Sequence, residues 1–131
     1  SEMCIRDRIL EWAKANAAQR TGPSDGEGRH RNDTLTVNLY IASPMMAAYS
    51  FAKQVIDIPK AVDKIITDWF KRIVRINKHL MYEYSNYKTG SGANGTPKRA
   101  HNHALSSAMS HMQLGILLND DKIFRTAFKN F

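Results

Sequence analysis

Three observations predict an all-α fold of stacked helical hairpins. Residues 60–82 keep a helical period. Val62, Ile65, Ile66, Trp69, Phe70, Ile73 and Val74 fall on one face, and Lys64, Asp68, Lys71, Arg72 and Arg75 take most of the other. Pro44 and Pro59 each stand where a helix starts, because proline presets φ for a first turn that needs no N–H donor. The stretch after His103 carries Leu105, Ala108, Met109, Met112, Ile116 and Leu117. It is apolar around much of its circumference, as expected of a helix between neighbours.

The elements follow in order. Residues 9–18 are alanine-rich and favour a helix. Residues 20–33 form a polar loop, broken by Gly22-Pro23-Ser24-Asp25-Gly26 and carrying the basic knot Arg29-His30-Arg31. Residues 35–41 are apolar and fit either a strand or a helix. Ser43-Pro44 reads as N-cap plus first helical residue of a helix running to about Asp57. The long helix of residues 60–82 comes next. A loop of residues 85–96 contains Gly90, Gly92 and Gly95 and leads to the helix after His103. Asn119-Asp120-Asp121 breaks that helix, and Asp120 or Asp121 caps the final segment. Residues 122–131 end within an amphipathic pattern with no evident cap. The methionines Met45, Met46, Met109 and Met112 are expected in the core.

At 131 residues the chain is one domain by size, or a piece of a larger one. Its 43% apolar content supports a packed core. The net charge of +7 points to an anionic partner, whether nucleic acid, membrane headgroups or an acidic polysaccharide. The single Cys4 excludes an internal disulfide and a cysteine-based zinc site. Residues 1–8, Ser1-Glu2-Met3-Cys4-Ile5-Arg6-Asp7-Arg8, read as a translated sequencing adapter, a non-native scar ahead of a domain spanning residues 9–131.

The chemistry-bearing segment is Pro97-Lys98-Arg99-Ala100-His101-Asn102-His103. It follows the glycine-rich loop and opens a helix, so two imidazoles, a carboxamide and two cations meet where backbone N–H groups favour an anion. Three readings stay open. Asn102 is an N-cap beside polar histidines; the His-x-His pair binds a metal if His79 or His111 approaches; or the histidine is an acid-base group whose product anion Asn102 stabilises. Tyr82, Tyr84 and Tyr87 offer aromatic faces for sugar rings, or pack at a helix end. Arg29, His30 and Arg31 contact a polyanion, or form a solvated loop.

Trp12-Ala13-Lys14-Ala15-Asn16-Ala17, the helical residues 42–53, Asp68-Trp69-Phe70-Lys71-Arg72 and Asn102-His103 at a helix start together resemble the alginate lyase family of polysaccharide lyases. The family motif is Asn-Asn-His followed by an aromatic. Here His101 replaces the first Asn, and Ala104-Leu105 the aromatic step.

The resemblance implies part of an incomplete α/α toroid, with helical hairpins circling a cleft. It also implies β-elimination on a uronic-acid polymer, with no cofactor or metal and neither a nucleic-acid nor a membrane partner. The C5 proton leaves, and the glycosidic oxygen at C4 is expelled. Asn102 then matches the group that neutralises the carboxylate, and His103 the base. Arg29, Arg31, Lys98, Arg99, His101 and Tyr87 are the expected substrate-binding residues. The acid tyrosine and its arginine are expected beyond Phe131, so the chain is expected to be an inactive or poorly stable fragment of a periplasmic or secreted enzyme. The competing reading is a non-enzymatic basic helical module that binds nucleic acid or another polyanion. A helical-repeat scaffold is the third.

Overall fold

The computed structural model describes residues 2–18, 41–76 and 102–131. The described elements are five helices: α1 (Glu2–Lys14), α2 (Ser43–Val55), α3 (Lys60–Ile76), α4 (Asn102–Leu118) and α5 (Asp121–Lys129). No strand occurs among the described residues, and the chain is all-α as its periodicity predicts. The predicted loops at 20–33 and 85–96 lie outside the described residues, as does nearly all of the apolar run 35–41.

The core forms where α1 and α4 each pack against both α2 and α3. Ile9 and Ala13 enter it from α1, and Met46 and Tyr49 from α2. Ile66, Trp69, Phe70, Ile73 and Val74 come from α3, and Leu114 and Leu117 from α4. The Phe70 ring lies 5.0 Å from Trp69 and 6.0 Å from Tyr49, both tilted, so three aromatic residues interlock at the centre. The apolar stripe of α3 is buried as predicted, except that Val62 is partly covered and Ile65 is 38% exposed. A helix touching neighbours on one side buries about a third of its circumference, and Ile65 falls at the edge of that arc.

Two helix ends share one device. After α1, Ala17 N–H donates to the Trp12 carbonyl at 2.9 Å and Asn16 N–H to the Ala13 carbonyl at 3.1 Å. Asn16 takes φ 49°, the left-handed conformation that lets a chain leave a helix this way. The helix therefore stops at Lys14 and not at residue 18 as predicted. After α4, Asp120 N–H donates to the Gly115 carbonyl at 2.8 Å and Asn119 N–H to the Ile116 carbonyl at 3.1 Å, with Asn119 at φ 52°. Asp120 then starts α5, its side chain accepting from Ile123 N–H at 3.0 Å. Asp120, rather than Asp121, is the cap. One residue closes α4 and opens α5, which gives a tight hairpin.

Other boundaries differ from expectation. α1 begins at Glu2, inside the stretch read as a scar, although Ile9 is its first buried side chain among those described. Ser43 is the first residue of α2 and not its cap. Ala42 before it is already helical (φ -64°, ψ -46°) and offers no side-chain cap, because a wider π-type turn at Ile41 and Ala42 leads in. α2 ends at Val55, since Ile56 turns extended three residues ahead of Pro59. Asn130 closes α5. Its backbone N–H donates to the Ala127 carbonyl at 3.0 Å and its side-chain amide to the Thr126 carbonyl at 2.8 Å, so a cap is present where none was evident.

Met46 is fully buried and Met45 and Met112 partly so, but Met109 is 47% exposed, as is Ile116 at 65%. The outer face of α4 is therefore open among the described residues, contrary to burial on all sides. α5 packs on α4 across Gly115. A Cβ there would sit 2.7 Å from the Phe124 backbone nitrogen, so only glycine allows this approach.

Candidate active site

Asn102 and His103 are the first two residues of α4. Asn102 thus stands inside the first turn rather than before it, which departs from the N-cap reading. The first turn of α4 holds no acidic side chain of its own to meet the positive end of the helix dipole. The remaining predicted site residues, Arg29, Arg31, Tyr87, Lys98, Arg99 and His101, lie outside the described residues, together with His30, His79, Tyr82 and Tyr84.

What anchors α4 is a polar seam that the sequence reading did not single out. Ser107, Ser110 and His111 are all buried. The Ser110 hydroxyl bonds the Ser43 hydroxyl of α2 at 2.7 Å. Nδ1 of His111 lies 2.7 Å from the Ser107 carbonyl. A carbonyl only accepts, so the proton sits on Nδ1, and that nitrogen is committed to the helix rather than offered to a metal. Among the described residues no group of three or more His, Cys, Asp or Glu could hold a metal ion.

Tyr49 is fully buried and donates to Asp63 at 2.9 Å. Burial, then the hydrogen bond and charge of Asp63, push its phenol above the usual range. Asp63 also pairs with Lys53 at 2.9 Å. This tyrosine ties α2 to α3.

The cations of α3 are largely engaged. Lys64 and Lys71 both bond Asp68, whose carboxyl is held below the usual carboxylate range by those two hydrogen bonds. Arg72 donates to the Asn16 side chain at 2.9 Å. Beside it, the Trp69 indole N–H donates to the Ala17 carbonyl at 2.8 Å. The segments Trp12 to Ala17 and Asp68 to Arg72, read separately in the sequence, are therefore one contact in the fold.

A family model described as alginate lyase matches residues 7–131. The chain belongs to the alginate lyase family. No curated protein and no solved structure matched the chain. Membership makes polysaccharide lyase chemistry the function class of the domain, with an acidic polysaccharide as the substrate the family implies. The contact of Ala17 with Trp69 and of Asn16 with Arg72 gives two of the resembling segments a structural role. Asn102-His103 opens α4 within the residues that the alginate lyase family model matches. No described helix is long and apolar enough to cross a membrane.

Proposed function

We propose that the chain carries part of the site of a polyuronate lyase that cleaves alginate or a related uronic-acid polymer by β-elimination. The observation that supports this reading is the position of Asn102-His103 at the start of α4, within a family match that spans it. A proton beside an ionised carboxylate is weakly acidic, because its removal builds a second negative charge. Hydrogen bonds and positive charge aimed at the carboxylate lower that cost. Asn102 and the N-terminal turn of α4 take this task, with Lys98, Arg99, Arg29 and Arg31 attracting the polyanion. His101 and Tyr87 contact the sugar.

His103 removes the C5 proton. The released electron pair forms the C4=C5 double bond, the C4–O bond breaks, and a proton passes to the departing oxygen from an acid outside the described residues. Residues 9–131 are then part of an α/α toroid, with residues 1–8 outside it, in a periplasmic or secreted enzyme.

The test is His103→Ala with polyuronate as substrate, following ultraviolet absorbance of the unsaturated product. Product formed by the parent chain and lost in a variant that still folds supports the reading. Unchanged turnover rejects His103 as the base. Salt-sensitive retention of DNA without retention of polyuronate would favour the nucleic-acid module instead.

A further inference from the structure

We propose that the Ser43–Ser110 hydroxyl pair is a positioning key that sets how far α4 sits along α2, and with it where Asn102 and His103 stand. The proposal deepens the lyase reading above and rests on it for its functional meaning.

The argument starts from the surface of α4. Ser106, Ser107, Ala108, Ser110 and Gly115 give this helix small side chains over much of its length. Small residues allow close approach, as Gly115 does against Phe124, but they make shallow ridges. Apolar contact is non-directional and resists sliding poorly. A hydroxyl pair with one fully buried member is different. Ser110 is fully buried, and its bond to Ser43 is 2.7 Å long. A slipped helix would leave a buried hydroxyl unbonded, which costs about 1–3 kcal/mol. Buried polar pairs are known to specify register in this manner.

Ser110 is placed to transmit that register. His103, Ser107, Ser110 and His111 follow one another at helical spacing on one side of α4. The bond from His111 Nδ1 to the Ser107 carbonyl braces the turn that holds Ser110. Eight residues separate Ser110 from Asn102, about 12 Å of rigid helix. A shift at the key therefore reappears at the helix start.

The experiment compares Ser43→Ala with the double variant S43A/S110A. The single change strands the fully buried Ser110 hydroxyl and lowers the melting midpoint. The double change removes both hydroxyls, leaves nothing unsatisfied and recovers most of that loss. A merely structural pair would recover everything else as well. As a positioning key, it leaves the double variant with displaced backbone amide resonances at residues 102–105, and with kcat on polyuronate down about 10- to 100-fold at little changed KM. Ser43→Thr keeps a hydroxyl and is expected to show the parent spectrum. If S43A/S110A does not fold, Ser43→Ala alone gives the same reading, because Ser43 is only half-buried.

Amide resonances at 102–105 unchanged in the double variant would overturn the proposal whatever the turnover. Polyuronate turnover that His103→Ala leaves unchanged would sink the lyase reading, while the amide positions would still decide whether the key exists.

Discussion

The indole N–H of Trp69 reaches across from α3 to the backbone carbonyl of Ala17, 2.8 Å away, and locks the turn that ends α1. The carbonyl lies just past a helix end, where acceptors lack intrahelical partners, and the donor belongs to a fully buried side chain. Trp69→Phe keeps most of the packing and strands that carbonyl, so we expect a loss of about 1–2 kcal/mol in urea unfolding. Trp69→Ala adds a cavity and is expected to cost about 3–5 kcal/mol. Equal losses for the two variants would show that the hydrogen bond is irrelevant.

Gly115→Ala tests the α4–α5 crossing. Alanine raises helix propensity by about 1 kcal/mol, but its Cβ would meet Phe124 backbone atoms at 2.7 to 2.9 Å. Backbone cannot swing aside as a side chain can. The variant is expected to be less stable than the parent by about 1–3 kcal/mol, with the hairpin spread apart. A gain in melting temperature would contradict the close approach.

Asn119 separates conformational cost from contact. At φ 52° it adopts a backbone that asparagine tolerates and glycine prefers. Asn119→Gly should match or exceed the parent in thermal stability, and Asn119→Ala should fall below it by about 1 kcal/mol. The order Gly, Asn, Ala is the expected readout, and its reversal would place the residue outside the left-handed region.

Tyr49 makes an alkaline prediction. Its folded pKa is raised from the ordinary value of 10.0, so the folded protein holds this proton more tightly than the unfolded chain. The stability this contributes is fully present below pH 10.0 and is lost as pH rises through the higher folded value. Tyrosinate absorbance is expected to include a phenol that resists titration until the protein unfolds, and Tyr49→Phe should remove that contribution. A full complement of tyrosines titrating with the fold intact would refute the placement.

Asp68 makes the opposite, acidic one. Hydrogen bonds from Lys64 and Lys71 hold its carboxyl low, so that contribution is present above the ordinary carboxylate pKa and is lost as pH falls through the lower folded value. The carboxylate is partly solvent-exposed, so the effect is small and salt-sensitive. Asp68→Asn should flatten the acid limb of a stability profile measured at low salt. An unchanged limb would show that the lysines bridge nothing in solution.

How much of this was legible before the fold is seen in particular residues. The period of α3 could be read directly, since one amphipathic helix repeats its pattern in consecutive residues. The break at Asn119 to Asp121 was equally plain, because cap chemistry is local. Ser43 was misread for the same reason. Ser-Pro is a strong local start signal, but a serine hydroxyl can serve its own helix or another one, and nothing near Ser43 in the chain discloses Ser110, sixty-seven residues away. Met109 and Ile116 were expected to be covered because hydropathy marks what a helix can bury, whereas exposure depends on how many neighbours it has.

For the candidate site the division is similar. The pairing of an amide and an imidazole at a helix start was visible as Asn102-His103, and the family match covers it. That Trp12 to Ala17 and Asp68 to Arg72 meet in one contact, and that a serine pair holds α4 against α2, followed from packing alone. Local sequence marks a helix's period and some of its caps, because those hydrogen bonds close within four or five residues. Which helix faces which is settled by buried area and by the few polar groups that must find partners across it, and those partners come together only when the chain has folded.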